Sequence, residues 1–280
     1  MDQIHEQIDW SYSNAMLYES CPRSLFYRYW QQDQTGDSLT DDQQAEHMWY
    51  SSTGALIGVA VHAGIGSQIQ RWAHGKSTSR DEAHDKAAAK IEAASLSSAH
   101  TGRIDHAFDR EAVMRTATDH IDRFLSVIWP QLRSGRYITH EEVGSFELGD
   151  TTVWVRPDLC HRNDEGEFVI TDWKTRSPKV FEDPTLQLRT YALWAQTKFE
   201  PQRDRLRLQL GFTGSGELRV QKLTESRLQE TRKRIQTDTE QWGDPNNQSA
   251  FPVNPDLEKC QSCSYLPSCP DGQDVVSSPE

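Results

Sequence analysis

The sequence has no run of about 18 apolar residues, the length that a membrane-spanning helix needs. Its first nine residues, MDQIHEQID, have neither the basic start nor the apolar run of a secretory signal. Lysine is scarce as well, because only nine of the 30 basic residues are lysine. We therefore expect a soluble, cytoplasmic protein that has no membrane partner.

Positive charge is in deficit, with 30 Lys and Arg against 42 Asp and Glu and a net charge of −12. Non-specific attraction to a nucleic acid therefore cannot come from the total charge, and any contact with a polyanion must be local. A balance this acidic and poor in lysine is typical of proteins that stay soluble at high salt. An ordinary acidic surface explains it nearly as well.

Cysteine is infrequent but clustered. Three of the five cysteines, Cys260, Cys263 and Cys269, fall within ten residues near the C-terminus, whereas Cys21 and Cys160 lie elsewhere. In a chain that is not exported, such clustering favours a metal or cluster site over disulfide bonds. Thiolates suit both tetrahedral zinc and iron–sulfur clusters, so this pattern leaves the two alternatives open.

The hydrophobic periodicity changes once along the chain. Up to about residue 135 the apolar residues recur at helical spacing, for example in GALIGVAVHAGIGSQIQRW. From about residue 139, short β-branched and aromatic runs separated by turns predict an antiparallel meander. A helix over 184–198, two further strands and a polar helix over 224–242 follow. The fold class is therefore α/β, in the α+β sense, with a helical first half.

The residues best suited to catalysis lie in the meander. Pro157-Asp158 is followed after thirteen residues by Asp172-Trp173-Lys174, and residues two apart on a strand share one face. Two carboxylates and an amine would then converge. Carboxylates bind hard cations such as Mg²⁺ or Mn²⁺, and a bound cation polarises a phosphodiester and activates water. Trp173 is also a candidate for stacking on a base.

These residues resemble the PD-(D/E)xK nuclease superfamily, and other motifs narrow the likeness to its RecB-like branch. Gly58-x3-His62 matches the GxxxH element, and Gln187-x3-Tyr191 matches the QxxxY element. Cys21 together with the three C-terminal cysteines resembles the iron–sulfur members of that branch. The likeness is greatest to the CRISPR-associated RecB-like exonucleases and to nuclease domains of helicase–nuclease complexes.

The resemblance implies a restriction-endonuclease-like αβββαβ core, a preceding helical region and a tail stapled by cysteines. We accordingly expect a helical region over 1–135 that includes the first core helix, a nuclease core over 136–245, and a cysteine-cluster tail over 246–280 that packs on the N-terminal helices. The implied site residues are the metal ligands His62, Asp158, Asp172 and the Trp173 carbonyl, the catalytic Lys174 beside both aspartates, the nucleic-acid-binding Gln187 and Tyr191, and the cluster ligands Cys21, Cys260, Cys263 and Cys269.

The resemblance further implies Mg²⁺ or Mn²⁺ and a [4Fe-4S] cluster as cofactors, with Zn²⁺ as the alternative to the cluster. The expected activity is metal-dependent cleavage of DNA, as a single-strand exonuclease in CRISPR adaptation or in DNA repair and recombination. The expected partners are single-stranded DNA and proteins of CRISPR adaptation or helicases. Two alternatives stay open: a catalytically idle nucleic-acid-binding subunit, and a zinc-stapled interaction protein.

Overall fold

The structure is a computed structural model that describes residues 8–34, 52–101, 109–176 and 185–278. The chain divides into two compact units, each built from separated stretches. We call the first the terminal unit (Met1–Ser51, Glu147–Trp154 and Arg232–Glu280) and the second the central unit (Ser52–Phe146 and Val155–Thr231). Within the described ranges, no helix combines the length and the apolar character needed to cross a membrane.

The terminal unit begins with a short strand followed by two helices, β1 (Trp10–Ser11), α1 (Tyr12–Ser20) and α2 (Pro22–Gln34). Ser11 caps α1, because its side chain accepts a hydrogen bond from the Asn14 N–H at 3.1 Å. Strands β3 (Gly144–Leu148) and β4 (Thr151–Val155) form a hairpin, and β1 pairs in parallel with β4 in a three-stranded sheet of order β1-β4-β3.

The core of the terminal unit is aromatic. Trp10 is fully buried and donates from Nε1 to Asp238 Oδ2 at 2.9 Å, so the buried carboxylate has a partner. Arg234 donates to the other oxygen of Asp238 and also pairs with Glu19. Phe26 and Phe251 are both buried, with ring centroids 5.8 Å apart. The last helices are α8 (Glu225–Gln241), α9 (Leu257–Gln261) and α10 (Pro270–Ser277).

The helices of the central unit pack closely around one glycine. They are α3 (Thr53–Ala73), α4 (Arg80–Thr101), α5 (Arg110–Arg123) with a π-helical turn over Phe124–Ile128, and α6 (Trp129–Leu132). A Cβ atom on Gly64 of α3 would lie 2.8 Å from the Ala83 carbonyl and 2.5 Å from the Ile121 side chain. Gly64 therefore permits the close approach of α3 to α4 and α5.

The central sheet has five strands in the order β2-β5-β6-β7-β8. Its strands are β2 (Arg136–Thr139), β5 (Leu159–Arg162), β6 (Phe168–Lys174), β7 (Leu206–Phe212) and β8 (Glu217–Gln221). Strand β6 is antiparallel to β5 and parallel to β7, and helix α7 (Thr185–Phe199) makes the connection that a parallel pair requires. In chain order α3, β2, β5, β6, α7 and β7 give the αβββαβ pattern.

The expected α/β fold class is confirmed, whereas the expected continuous meander is wrong in one respect. The run TTVWVRPDLCHR, in which the sequence predicted that Asp158 ends or bends a strand, divides at Arg156-Pro157 into β4 and β5, which lie in different sheets. Proline cannot donate a ladder hydrogen bond, which favours a break at that point. The first strand of the central sheet is β2, which the sequence pattern did not reveal.

Candidate active site

His62 is presented by the middle of α3 toward two carboxylates. Its Nδ1 lies 3.4 Å from Asp158 Oδ1 and 3.9 Å from Glu141 Oε1, and its side chain is 32% exposed. Gly58 lies one helical turn earlier, where an added Cβ would make only an ordinary contact with Thr175 Oγ1 at 3.8 Å. The imidazole thus lies beside the two carboxylates and is partly exposed to solvent.

The two aspartates come from neighbouring strands. Asp158 directly precedes β5, and its Oδ2 accepts a hydrogen bond from the Trp173 N–H of β6 at 2.6 Å. Asp172 lies on β6 and is 2% exposed, with Oδ2 2.6 Å from Lys174 Nζ. Since Asp172 and Lys174 are two apart on one strand, they share a face, as the sequence predicted.

Lys174 is held at its tip by a chain of hydrogen bonds from α7. Its Nζ donates to Gln187 Oε1 at 2.8 Å, and Gln187 Nε2 donates to the Tyr191 hydroxyl at 2.7 Å. That hydroxyl donates to the Arg156 carbonyl at 3.1 Å. Residues four apart on a helix lie on one face, which is why Gln187 and Tyr191 can act in sequence. In this structure Gln187 contacts the lysine, and Tyr191 contacts the backbone two residues before Asp158.

Glu141 is the acidic residue that the sequence reasoning left out of the ligand set. One ligand atom from each of His62, Glu141 and Asp158 lies within 4.8 Å of the others, a spacing that suits a shared metal ion. The sequence pattern placed Glu141 and Glu142 together at the start of a strand and gave no reason to choose between them. The Glu142 carboxylate is directed elsewhere, because it accepts a hydrogen bond from Thr139 Oγ1 at 2.7 Å.

The loop that carries Glu141 has an unusual backbone. Its φ angle is +48°, in the left-handed region that residues other than glycine seldom adopt. Two contacts hold it there: the Glu141 N–H donates to the Pro157 carbonyl at 2.9 Å, and Arg156 Nε donates to the Glu141 carbonyl at 3.0 Å. Gly66 of α3 adjoins the carboxylate, whose oxygens lie 3.6 Å from its ideal Cβ position, the distance of an ordinary contact. Such over-determined strain is typical of functional sites.

Burial and mutual charge effects together set the pKa values of these groups. Burial alone would lower the pKa of His62, but the carboxylates of Asp158, Glu141 and Asp172 raise it to about 9. Burial raises the pKa of Asp172 to about 6, against the opposing effect of Lys174. Burial would also raise the pKa of Asp158, but the His62 and Lys174 charges hold it below its usual value. Carboxylates whose pKa values are shifted in opposite directions are typical of functional sites.

The donor set fits a hard or borderline divalent cation. An imidazole nitrogen with carboxylate oxygens suits Mn²⁺, and carboxylates suit Mg²⁺. Asp172, which the sequence predicted as a ligand, is not part of the group of His62, Glu141 and Asp158 that meets this spacing, but its charge raises the pKa of the imidazole. The Trp173 carbonyl stays a predicted ligand. Its indole does not serve for stacking, because it is 2% exposed and packs against Phe124 at 5.0 Å between ring centroids.

The four cysteines of the expected cluster line one cavity in the terminal unit. Cys21 ends α1, and Cys260, Cys263 and Cys269 lie in and around α9 and α10. All four border a cavity of about 290 Å³ and are partly exposed. Burial raises the pKa of Cys263, and the charges of the other three cysteines act in the same direction. Gly272 adjoins the sulfurs, with its ideal Cβ position 3.5 Å from Cys269 Sγ.

Cys160 is separate from this group. It is fully buried on β5, and burial raises its pKa well above the usual range for a thiol. A buried neutral thiol of this kind is chemically inert, as expected for the cysteine outside the motif.

Comparison with known proteins agrees with this geometry. A sequence model of the PD-(D/E)XK nuclease superfamily matches residues 9–270, a span that includes all the candidate ligands and all four pocket cysteines. No curated protein matches the chain.

Proposed function

The chain belongs to the PD-(D/E)XK nuclease superfamily, and from this premise we propose that it is a metal-dependent nuclease that hydrolyses phosphodiester bonds in DNA. One observation carries the proposal. An imidazole from α3, a carboxylate before β5 and a carboxylate–amine pair on β6 converge on one site. That convergence unites the motif residues that are far apart in sequence.

In this proposal His62, Glu141, Asp158 and Asp172 hold Mg²⁺ or Mn²⁺, with the Trp173 carbonyl as a further ligand. The ion, when bound, supplies Lewis-acid polarisation of the phosphodiester and lowers the pKa of an attacking water. The protein contributes ligand placement. Asp158 is fixed by the Trp173 N–H, and Glu141 is fixed by its pinned loop. Fixed ligands limit the reorganisation that the reaction demands.

Lys174 would stabilise the charge that develops on the phosphoryl oxygens and orient the water. Gln187 holds the amine by a 2.8 Å hydrogen bond, and Tyr191 holds Gln187. We expect both to position the DNA strand as well, because they stand beside the amine that would face the scissile phosphate. Burial and the two aspartate charges raise the pKa of Tyr191 well above its ordinary value, so its hydroxyl stays a hydrogen-bond donor.

The finer proposal is a RecB-like single-strand exonuclease. Its support is the order of four elements along the chain: GxxxH, PD, DxK and QxxxY. The GxxxH element lies on α3, the DxK element on β6 and the QxxxY element on α7. A role in CRISPR adaptation or in DNA repair and recombination, with adaptation proteins or helicases as partners, follows from the same resemblance. A cytoplasmic location is part of this proposal.

A metal-dependence and end-polarity assay tests the activity. Single-stranded and duplex DNA labelled at either end would be incubated with Mn²⁺, Mg²⁺ or EDTA. We expect cleavage with Mn²⁺, shortening of single strands from one end, and no cleavage in EDTA. Asp172→Asn should lose the activity, whereas the control Glu142→Gln should retain it, because the Glu142 carboxylate bonds to Thr139.

The same assay separates the competing function. A catalytically idle subunit would bind DNA yet leave the labelled ends intact with every metal, and binding would be equal for the parent and for Asp172→Asn. Internal cutting without progressive shortening would replace the exonuclease with an endonuclease, while the assignment of the site would stand.

We propose a second, cysteine-held group in the terminal unit, a [4Fe-4S] cluster. Four thiols that border one cavity of about 290 Å³ support a thiolate-held group, and the resemblance to the iron–sulfur members favours the cluster over zinc. Anaerobic purification with iron, sulfide and zinc analysis tests it. Four iron atoms per chain and visible absorbance are expected, both lost in Cys263→Ser and both kept in the control Cys160→Ala. One zinc and no iron would favour a zinc staple.

A further inference from the structure

The backbone carbonyl of Lys174 is fixed at the point where its strand ends. The ladder between β6 and β7 runs from Phe168↔Leu206 to Lys174↔Phe212. Beyond it, the Thr213 N–H donates to the Lys174 carbonyl at 3.0 Å, and Thr213 Oγ1 donates to the same oxygen at 3.3 Å. The last residue of β6 is thus held by a neighbour that lies one position past the end of β7.

The hydroxyl of Thr213 is itself oriented by a histidine from α5. His120 Nδ1 lies 2.7 Å from Thr213 Oγ1, and Thr213 is fully buried. The adjoining turn is shaped to admit the ring, because a Cβ on Gly214 would lie 2.9 Å from His120 Cε1. A chain of hydrogen bonds therefore runs from the imidazole through the hydroxyl to the carbonyl of Lys174.

The same helix supports the preceding residue. Phe124 lies four positions after His120, and residues at this spacing share one face of a helix. The Phe124 ring packs edge-on against Trp173, with ring centroids 5.0 Å apart. One face of the helix thus contacts residue 173 through a ring and residue 174 through a hydroxyl relay.

We propose that His120 and Thr213 are positioning residues for Lys174. They hold the backbone at the base of the side chain, while Gln187 holds the amine at its tip. Both ends of a flexible four-carbon side chain are then fixed, which confines the amine to one position. The inference rests on the proposed nuclease function, in which Lys174 acts on the phosphodiester. A misplacement of about 1 Å at a reacting group can cost about a hundredfold in rate.

Matched variants test the proposal in the full-length protein. Thr213→Val keeps the shape and the N–H but removes the hydroxyl, whereas Thr213→Ser keeps the hydroxyl. His120→Leu removes the ring nitrogen, whereas His120→Asn offers an amide in its place. We expect the valine and leucine variants each to lower kcat about tenfold, with the KM for DNA and the Mn²⁺ requirement unchanged within about twofold. The serine and asparagine variants should stay within about twofold of the parent.

Coupling between the variants gives a sharper test. Because His120 acts through Thr213, the double variant Thr213→Val/His120→Leu should be no slower than the slower single variant by more than about twofold. In a Lys174→Ala background, Thr213→Val should have no further effect. Independent, multiplying losses would overturn the relay.

Different variants test the role of Lys174 and the role of the relay from His120 through Thr213. If Lys174→Ala cleaves like the parent, the proposed role of the lysine is wrong. If Lys174→Ala is inactive while Thr213→Val and His120→Leu cleave like the parent, or lose activity through a raised KM, the relay is wrong and the nuclease assignment stands. Should Thr213→Val fail to fold, Gly214→Ala and His120→Leu test the relay in its place. The Cβ added in Gly214→Ala would displace the His120 ring. A parental kcat in both would overturn the proposal.

Discussion

The two candidate centres differ in how the chain builds them. The active-site residues lie on or beside regular elements of the central unit, and direct hydrogen bonds between their backbones and side chains fix them. The cysteine pocket of the terminal unit joins Cys21 to cysteines that lie 239 to 248 positions later, on short helices and turns. The first site is preorganised by hydrogen bonds of the fold, whereas the group proposed for the second would link segments that are distant in sequence.

The largest expected effect lies in the preorganised site. Asp158→Asn keeps an oxygen that can accept the Trp173 N–H but removes the negative charge. We expect cleavage to fall about a thousandfold, because charge stabilisation by a catalytic ion contributes several kcal/mol. Single-turnover assays with Mn²⁺ measure this, alongside thermal unfolding to establish that the variant folds. A loss below about tenfold would remove Asp158 from the ligand set.

Loss of the cysteine-held group should act on stability instead. Closing a loop of this length contributes about 5 kcal/mol through the entropy of the unfolded chain. Cys263→Ser should therefore lower the free energy of unfolding by several kcal/mol, measured by denaturant titration under anaerobic conditions. Cys160→Ala is the control, since that residue lies outside the pocket. Equal stability of Cys263→Ser and the parent would contradict an occupied pocket.

Two glycines of α3 should differ in their effect on the free energy of unfolding, because Gly64 is a packing residue and Gly58 is a motif residue. Gly64→Ala should destabilise the protein by about 1–3 kcal/mol, because its Cβ would overlap the Ala83 carbonyl and Ile121. Gly58→Ala, in the motif, should stabilise it by about 0.5–1 kcal/mol, since its Cβ has space and alanine favours a helix. Denaturant titration of both variants checks this order, and the reverse order would show that the helix packs differently.

The pH dependence of the metal-free protein gives a separate test of the charges around His62. The pKa of His62 is about 9 in the folded protein, against 6.5 for an ordinary histidine. Between these two pH values His62 is therefore protonated in the folded protein and deprotonated in the unfolded chain. Its stabilising contribution is therefore complete below about pH 6.5 and is lost as pH rises through 9. Thermal unfolding in EDTA should show this decline, which His62→Gln should remove.

Bound Mn²⁺ should contribute a stabilisation that increases with pH, in contrast to the decline of the metal-free protein. Because the bound imidazole must be deprotonated, stabilisation by Mn²⁺ should increase from pH 6.5 to 9 as the competing proton is lost. Stabilisation that is independent of pH over this range would indicate that His62 does not bind the ion.

Sequence reasoning located the site residues that short motifs define, but it missed what tertiary contacts define. His62, Asp158, Asp172 and Lys174 could be named because they stand in short motifs of the superfamily that the sequence resembles. Glu141 could not be chosen over Glu142, because the choice depends on a left-handed backbone held by Arg156 and Pro157. Membership of β4 and β5 in different sheets also depends on partners distant in sequence.

The contacts of Lys174 show the same division. The QxxxY spacing predicted that Gln187 and Tyr191 share a helical face near the site, and they do. That Gln187 grips the lysine, and that Thr213 and His120 hold its carbonyl, follows from the register of β6 with β7 and from the packing of α5. No local pattern encodes these contacts.

The most direct measurement is anomalous diffraction at the manganese absorption edge from crystals soaked in Mn²⁺. We expect a peak within coordination distance of His62, Glu141 and Asp158, and we expect this peak to be absent from crystals of Asp158→Asn. Manganese bound only elsewhere, or bound equally in that variant, would contradict the claim that these side chains form the metal centre of a nuclease.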